Sequence, residues 1–208
     1  MSQSSIDSEE NLEYHIKVIL LGNAGVGKTN LINITIGQGF NEAEKTTTAS
    51  SFSVKKIILN NQEYRINLWD TIGQEQFRQL TKIFFNNSKI VLFVYDITRK
   101  ASFDSLPSWI KDVNEQIGND YIKGIVANKS DLYYDEEVKT QEGQELANKI
   151  GGKFLLISAK HDDPKKFEDF LVELIMEYIS KKKRVDSRNF SITKRKTLEN
   201  TDKANCCK

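Results

Sequence analysis

The stretch GNAGVGKT, residues 22–29, fits the pattern G-x-x-x-x-G-K-[ST] of a loop that binds nucleotide phosphates. It follows the apolar run KVILL and precedes the run LINITI, which predicts a strand before the loop and a helix after it. Glycines let the backbone curl its N–H groups around phosphate oxygens, and the positive end of the helix faces them. Lys28 is expected to carry charge to the β- and γ-phosphates, and Thr29 to offer a hydroxyl to Mg²⁺. A plain glycine turn is the alternative, and the flanking segments argue against it.

Strand-like segments alternate with helix-like segments along the chain. Such alternation favours an α/β fold around a mostly parallel sheet. Some segments, such as VLFVY at 91–95, are apolar throughout, as expected when helices cover both faces of a sheet. We therefore predict a mostly parallel six-stranded sheet flanked by helices on both faces. The predicted strands are 14–21, Ser51–Leu59, 64–69, 90–95, Ile122–Asn128 and 154–157.

The chain divides by periodicity and charge. Residues 167–180 place apolar side chains three and four positions apart, which predicts an amphipathic closing helix. Residues 181–208 carry ten Lys or Arg against three Asp or Glu, a net +7, so the chain's net +1 leaves −6 for residues 1–180. We predict a disordered extension over 1–12, one domain over 13–180 and a flexible basic tail over 181–208. The acidic body gives no reason to expect a nucleic-acid partner.

Two further motifs follow predicted strands. Asn128-Lys129-Ser130-Asp131 comes after the strand that begins at Ile122, and Ser158-Ala159-Lys160 comes after the strand at 154–157. Open α/β sheets bind ligands at the carboxyl ends of their strands. Both motifs are therefore expected beside the phosphate-binding loop.

With these motifs in family order, residues 14–180 resemble the small GTPases, whose fold is the G domain of the P-loop NTPases. The resemblance implies that Asp131 accepts hydrogen bonds from guanine, that Lys129 lies over the base and that Phe40 stacks on its edge. Asn128 would tie the loops together, and the backbone of residues 158–160 would read the guanine oxygen. The implied nucleotide-binding residues are Asn23, Ala24, Gly25, Val26, Gly27, Lys28, Thr29, Asn30, Phe40, Thr47, Gly73, Asn128, Lys129, Asp131, Ser158, Ala159 and Lys160.

Within that superfamily the chain is most similar to Rab proteins, regulators of vesicle traffic. WDTIGQEQFRQLT, residues 69–81, resembles their WDTAGQERFRxxT, and VYDIT at 94–98 also matches. Other Rab segments differ: IGVDF is replaced by TASSF at 48–52, and YYRGA by FFNNS at 84–88. The chain therefore resembles a divergent Rab, and the identity of its effectors stays open.

The resemblance also implies roles in GTP hydrolysis. Gln74 would orient the attacking water as the catalytic residue, while Thr29, Thr47 and Asp70 would hold Mg²⁺. Thr47 and Gly73 would couple the γ-phosphate to two loops that relax after hydrolysis. Without an arginine supplied by a partner, turnover is expected to be slow, on the order of 10⁻⁴ per second.

Two alternatives remain at this stage. Ile72 replaces the family's alanine, and this β-branched residue together with the altered segment at 48–52 would favour a module that binds GTP and hydrolyses little or none of it. The phosphate loop alone would also suit an ATP-dependent phosphotransferase, although the sequence indicates no second substrate pocket. Assays of GTP hydrolysis distinguish the non-hydrolysing module from a GTPase switch. Comparison of the affinities for GDP and ADP distinguishes the ATP-dependent phosphotransferase from a guanine-nucleotide-binding protein.

Cys206 and Cys207 resemble the paired terminal cysteines that carry two geranylgeranyl chains in Rab proteins. We expect a monomer on the cytoplasmic face of an intracellular membrane, with a cytosolic pool. The expected partners are guanine nucleotide, an exchange factor, a GTPase-activating protein, effectors, prenylation and membrane-extraction chaperones, and the membrane surface.

Overall fold

A computed structural model describes residues 14–44, 47, 49–73 and 82–204, with side chains as far as Arg184. The six strands form one sheet of order β2-β3-β1-β4-β5-β6, in which only the pair β2–β3 is antiparallel. This confirms the predicted mostly parallel six-stranded sheet. The strands are β1 His15–Leu21, β2 Ser51–Leu59, β3 Gln62–Asp70, β4 Ile90–Asp96, β5 Ile122–Asn128 and β6 Lys153–Ile157.

Helices occupy the connections between parallel strands. In the described part of the chain they are α1 Lys28–Thr35, α2 Lys100–Asp104, α3 Leu106–Ile117, α4 Thr140–Ile150 and α5 Pro164–Ala204, with a 3₁₀ helix over Ser130–Asp135. Parallel strands need such long crossovers, whereas antiparallel neighbours can be joined by a short turn. The turn between β2 and β3 is Asn60-Asn61, and both residues adopt the left-handed conformation, with φ of 52° and 62°.

The sheet separates two apolar layers. Along β4, Leu92 and Val94 pack with α1 and α5 on one face, while Phe93 and Tyr95 pack with α3 and α4 on the other. Alternate residues of a strand point to opposite faces, so a strand buried on both sides must be apolar throughout. All seven residues of β4 are buried. The prediction of helices on both faces is thereby confirmed.

Helix α5 is longer than expected. Its predicted end was residue 180, whereas the helix continues to Ala204. Residues 181–204 contain neither glycine nor proline, the residues that most strongly end helices, and Lys and Arg are good helix formers. Charge and loss of apolar periodicity therefore did not locate the helix end. That this basic segment moves independently of the domain remains a prediction.

Candidate functional site: a pocket at the carboxyl ends of the strands

One pocket of about 340 Å³ opens where β1, β5 and β6 end, within the roughly 300–1,000 Å³ usual for small-molecule sites. Its lining includes residues of the phosphate-binding loop and of the two motifs that follow β5 and β6. Of the expected nucleotide-binding residues, those that line it are Ala24, Gly25, Gly27, Lys28, Thr29, Asn30, Phe40, Thr47, Gly73, Asn128, Lys129, Asp131, Ala159 and Lys160.

The phosphate-binding loop is shaped by close backbone approach. A Cβ on Gly27, whose φ is 95°, would lie 2.3 Å from Nδ2 of Asn128, and a Cβ on Gly22 would lie 2.1 Å from the carbonyl oxygen of Val94. Real Cβ atoms do not approach other atoms so closely, so glycine is required at both positions. Lys28 is 5% exposed and its Nζ donates to the carbonyls of Gly22 and Asn23, at 2.8 and 3.0 Å. Its charge therefore lies inside the curl of the loop.

Three oxygen-bearing side chains meet at the end of β3. The Thr29 hydroxyl donates to Oδ2 of Asp70 at 2.8 Å, the Thr47 hydroxyl lies 3.3 Å from the same oxygen, and the two hydroxyls are 2.9 Å apart. Asp70 is 5% exposed, and its Oδ1 is buried with no hydrogen-bond partner among the described residues. Burial raises the pKa of Asp70, against the opposing effects of the Thr29 hydrogen bond and the Lys28 charge.

This donor set suits Mg²⁺. Magnesium takes oxygen ligands, usually one or two carboxylates together with phosphates and water. A buried carboxylate oxygen without a partner requires an explanation, and a cation supplies one. The described residues contain no cluster of three or more His, Cys, Asp or Glu side chains that could form an all-protein metal site. Thr29, Thr47 and Asp70 are the residues that would hold an ion at this place.

Asn128 joins the two halves of the pocket. Its Nδ2 donates to the carbonyl of Val26 in the phosphate-binding loop at 2.8 Å, and its Oδ1 accepts from the N–H of Ala159 at 3.1 Å. The residue is 1% exposed and belongs to β5. One buried amide therefore sets the spacing between the phosphate loop and the loop after β6.

Asp131 is held in place by Ser158. The Ser158 hydroxyl donates to Oδ1 of Asp131 at 2.5 Å and accepts from the N–H groups of Lys160 and His161, at 3.3 and 3.0 Å. Two residues before Asp131, Lys129 has a left-handed backbone, with φ of 67°, and its Nζ lies 2.5 Å from Oδ2 of Asp96. The carboxylate of Asp131 is thus oriented at the pocket wall.

An ion pair crosses the outer rim of the pocket. Lys160 Nζ donates to Oε1 of Glu42 at 2.8 Å and lies 5.9 Å from the centre of the Phe40 ring, which is 38% exposed. Lys160 lowers the pKa of Glu42 by hydrogen bonding and charge, and Glu42 in turn raises the pKa of Lys160. The pair thus links the loop after α1 to the loop after β6.

Three expected nucleotide-binding residues lie outside the pocket lining. Val26 is fully buried in the core. Ser158 is also buried, and its hydroxyl donates a hydrogen bond to Asp131, which itself lines the pocket. Asn23 turns toward α3, where its Oδ1 accepts from the Ser105 hydroxyl at 2.8 Å and from the Trp109 indole at 3.2 Å. These side chains support the loops, and the expected roles of the three residues in nucleotide binding stay predictions.

Sequence reasoning missed Glu42, Glu44 and Leu132, which also line the pocket. No motif marks Glu42 or Glu44. Leu132 follows directly after Asp131, so the N-K-x-D motif offered a signal for it. The two glutamates read as ordinary loop charges.

Ile72 and Gly73 occupy the turn after β3. Ile72 is 6% exposed and is absent from the pocket lining. A Cβ on Gly73 would lie 2.5 Å from Lys28 Nζ and 2.6 Å from the backbone carbon of Asn23. The loop after β3 therefore touches the phosphate loop directly at Gly73. Gln74, Cys206 and Cys207 lie outside the described residues, so their roles stay predictions.

Within the described residues, no helix has the length and apolarity needed to cross a membrane.

The fold and the pocket define a class of protein, the P-loop nucleotide-binding domains, here with a pocket lined by the phosphate-binding loop and by the loops after β3, β5 and β6. Residues 17–180 match the model of the Ras family. The chain is 34% identical over 170 residues to the Ras-related protein Rab-12 of Mus musculus, covering 81% of this chain and 69% of that protein. It is 33% identical over 196 residues to the Ras-related protein SEC4 of Saccharomyces cerevisiae, covering 92% and 91%, and 34% identical over 172 residues to the Ras-related protein Rab-30 of Homo sapiens, covering 82% and 85%. The chain therefore belongs to the Ras family of small GTPases, as a divergent member most similar to Rab proteins.

Proposed function

We propose that this chain binds GDP and GTP, hydrolyses GTP slowly, and acts as a membrane-attached switch in vesicle traffic. The observation that carries the proposal is the meeting of three loops at one pocket, held in register by the buried amide of Asn128. Family membership supports the GTPase class. An ATP-dependent phosphotransferase is disfavoured, because Asp131 presents an acceptor to a base and guanine offers two donors at that edge.

The chain's own residues have distinct tasks in the proposed reaction. Lys28 would bind phosphate oxygens once its bonds to the carbonyls of Gly22 and Asn23 are exchanged. Thr29, Thr47 and Asp70 would hold Mg²⁺, which when bound neutralises charge on the phosphate oxygens. Gln74 would orient the attacking water. Positioning and charge neutralisation supply most of the catalysis of phosphoryl transfer, so this set is sufficient for slow turnover.

Loss of the γ-phosphate would change the arrangement of two loops, and partner proteins would detect that change. Thr47 contacts both Thr29 and Asp70, and Gly73 packs against Lys28, so residues of two separate loops are tied to the proposed phosphate and metal ligands. A ligand that interacts differently with two loop arrangements shifts the balance between them. Effectors, an exchange factor and a GTPase-activating protein would read or change that balance.

Nucleotide binding and hydrolysis are tested together. Purified full-length protein is compared for GDP and ADP affinity, and GTP hydrolysis is followed in a single turnover with and without cell extract. We expect tight GDP binding, no measurable ADP binding, and slow hydrolysis that Gln74→Leu abolishes without releasing nucleotide. If Gln74→Leu hydrolyses GTP as fast as the parent, Gln74 does not position the water.

The alternative function is a GTP-binding module that does not hydrolyse. Ile72 motivates this alternative. Its side chain is buried and absent from the pocket lining, so it could disturb the pocket only by displacing the backbone of Gly73. Ile72→Ala restores the family's small residue and is expected to leave turnover equal or faster. Absence of hydrolysis in the parent, even with extract, would favour the module.

A further inference from the structure

Arg99 lies against the outer side of the phosphate-binding loop. Its Nη2 donates a 2.6 Å hydrogen bond to the carbonyl oxygen of Ala24, and its Nη1 is 3.7 Å from where a Cβ of Gly25 would lie. Ala24 and Gly25 line the pocket, whereas Arg99 does not. The guanidinium therefore contacts the loop from outside the pocket.

The turn that carries Arg99 is fixed by its own hydrogen bonds. The N–H of Arg99 donates to the carbonyl of Asp96 at 3.1 Å, and the carbonyl of Arg99 accepts from the Ser102 hydroxyl at 2.7 Å. Asp96 Oδ1 accepts from the N–H and the hydroxyl of Thr98, at 2.9 and 2.7 Å. The side chain of Arg99 thus starts from a defined point at the end of β4, even though its guanidinium faces solvent.

The contact has a consequence for the next peptide group. The bond between Ala24 and Gly25 is planar and trans, so its C=O and N–H point in opposite directions. A carbonyl held outward by Arg99 directs the N–H of Gly25 inward, toward the pocket. A charged donor on the carbonyl also polarises the peptide, which makes the N–H a stronger donor.

We infer that Arg99, lying behind the Ala24–Gly25 peptide, is a positioning residue that orients a backbone N–H of the phosphate loop toward bound phosphate. The inference rests on the proposed nucleotide binding and goes beyond it, because Arg99 belongs to none of the nucleotide motifs. The partner class is the phosphate chain of a nucleoside di- or triphosphate. The base is recognised elsewhere, at Asp131.

The test is the rate of nucleotide release from the full-length protein. Fluorescent GDP and fluorescent GMP are displaced from the parent, from Arg99→Ala and from Arg99→Lys. Lys100→Ala is the matched control, because it removes the same charge from the adjacent residue, the first of α2, whose ammonium contacts Glu142 on α4. All measurements are made in excess Mg²⁺.

We expect Arg99→Ala to release GDP about three- to tenfold faster, the order of one hydrogen bond to a loop carbonyl. Release of GMP should change less, because GMP lacks the β-phosphate. Arg99→Lys should recover part of the difference, since it keeps a cationic donor. Lys100→Ala should match the parent.

Equal acceleration for GDP and GMP would mean that Arg99 merely stabilises the fold, and parental rates in Arg99→Ala would mean that it has no role; either result overturns the inference. Acceleration in Lys100→Ala as large as in Arg99→Ala would replace positioning with a general charge effect. If the parent binds no guanine nucleotide, the proposed function itself fails, which is a distinct result.

Discussion

The amide of Asn128 donates a 2.8 Å hydrogen bond to the carbonyl oxygen of Val26, 102 positions earlier in the chain. Asn128→Ala would leave that carbonyl and the N–H of Ala159 without their buried partner, at roughly 1–3 kcal/mol for each group. We expect GDP release at least about tenfold faster, measured by displacement of fluorescent GDP. Asn114→Ala is the control: it removes a hydrogen bond to Tyr121 away from the pocket and should lower Tm without changing release. Equal release rates in both variants would contradict the bridging role.

Asp131→Asn should change which base is bound. Asparagine can still accept from the Ser158 hydroxyl, so the loop is expected to keep its shape. Its amide donors would face the donors of guanine, and losing charge-assisted hydrogen bonds costs a few kcal/mol, about 1.5–3 for each bond. GDP affinity should fall by at least about a hundredfold while xanthosine diphosphate affinity rises, as measured by equilibrium titration. Unchanged GDP affinity would remove Asp131 from base recognition.

Gly73→Ala should slow the hydrolysis of GTP. The new methyl group would meet the backbone of Asn23 and Ala24 at 2.6 and 2.7 Å, and backbone atoms cannot move aside as a flexible side chain does. We expect single-turnover hydrolysis to slow by at least about tenfold, with GDP binding largely retained. Gly118→Ala is a control for backbone strain alone, because φ there is 75° and no atom lies within 4 Å of the added carbon. Parental hydrolysis in Gly73→Ala would show that the loop after β3 closes without this contact.

Glu42→Gln should weaken the contact between Glu42 and Lys160 at the pocket rim and so speed the release of GDP. The pair with Lys160 is exposed, so its effect is small and screened by salt. We expect GDP release about two- to fourfold faster at low ionic strength and no difference at about 1 M salt, where screening is nearly complete. Glu63→Gln, which breaks the exposed pair with Lys56, is the control. A salt-independent difference would indicate a steric effect of Glu42.

The same pair predicts a pH window. The pKa of Glu42 is lowered, so its contribution is present above the ordinary carboxyl pKa and is lost as pH falls through the lowered value. The pKa of Lys160 is raised, so its contribution is present below the ordinary lysine pKa and is lost as pH rises through the raised value. The ratio of release rates for Glu42→Gln and the parent should therefore stay constant across neutral pH. A change in that ratio between pH 6 and 8 would assign the effect to other groups.

Replacing Cys206 and Cys207 by Ser should release the protein from membranes. Each buried methylene contributes about 0.8 kcal/mol, and stable anchoring takes two lipid signals, so loss of both chains leaves only the attraction of basic residues for anionic lipid. We expect the double variant in the soluble fraction after cell fractionation, with GDP affinity unchanged. The single variants distinguish one lipid from two. Pelleting of the double variant, or absence of isoprenoid by mass spectrometry, would contradict prenylation.

The strands were predicted to within two residues because they are bounded by sharp changes in polarity. The largest difference is at β3, predicted at 64–69 and observed at Gln62–Asp70. Its polar first residues, Gln62 and Glu63, pair with Leu59 and Ile58 of the edge strand β2, and backbone pairing with an edge strand does not need apolar residues. The Asn60-Asn61 turn was the available signal for that hairpin.

The pocket was predictable where backbone geometry demands particular residues, and less so elsewhere. Gly27 and Lys28 are required by close approach and charge, so a motif records them. Glu42 and Arg99 act through single side-chain contacts with residues 118 and 75 positions away, and nothing in their local sequence marks those contacts. Such residues emerge only when the fold brings their partners together.

The phosphate-binding loop follows β1, whereas the loops proposed to face the base follow β5 and β6. Mutation can therefore alter base preference on one side of the pocket without touching phosphate handling on the other. The two properties can drift separately through evolution, and divergent relatives are expected to vary in one while retaining the other. Asn128 limits that freedom, because its side chain bonds to both the phosphate-binding loop and the loop after β6. A substitution there would alter both loops together.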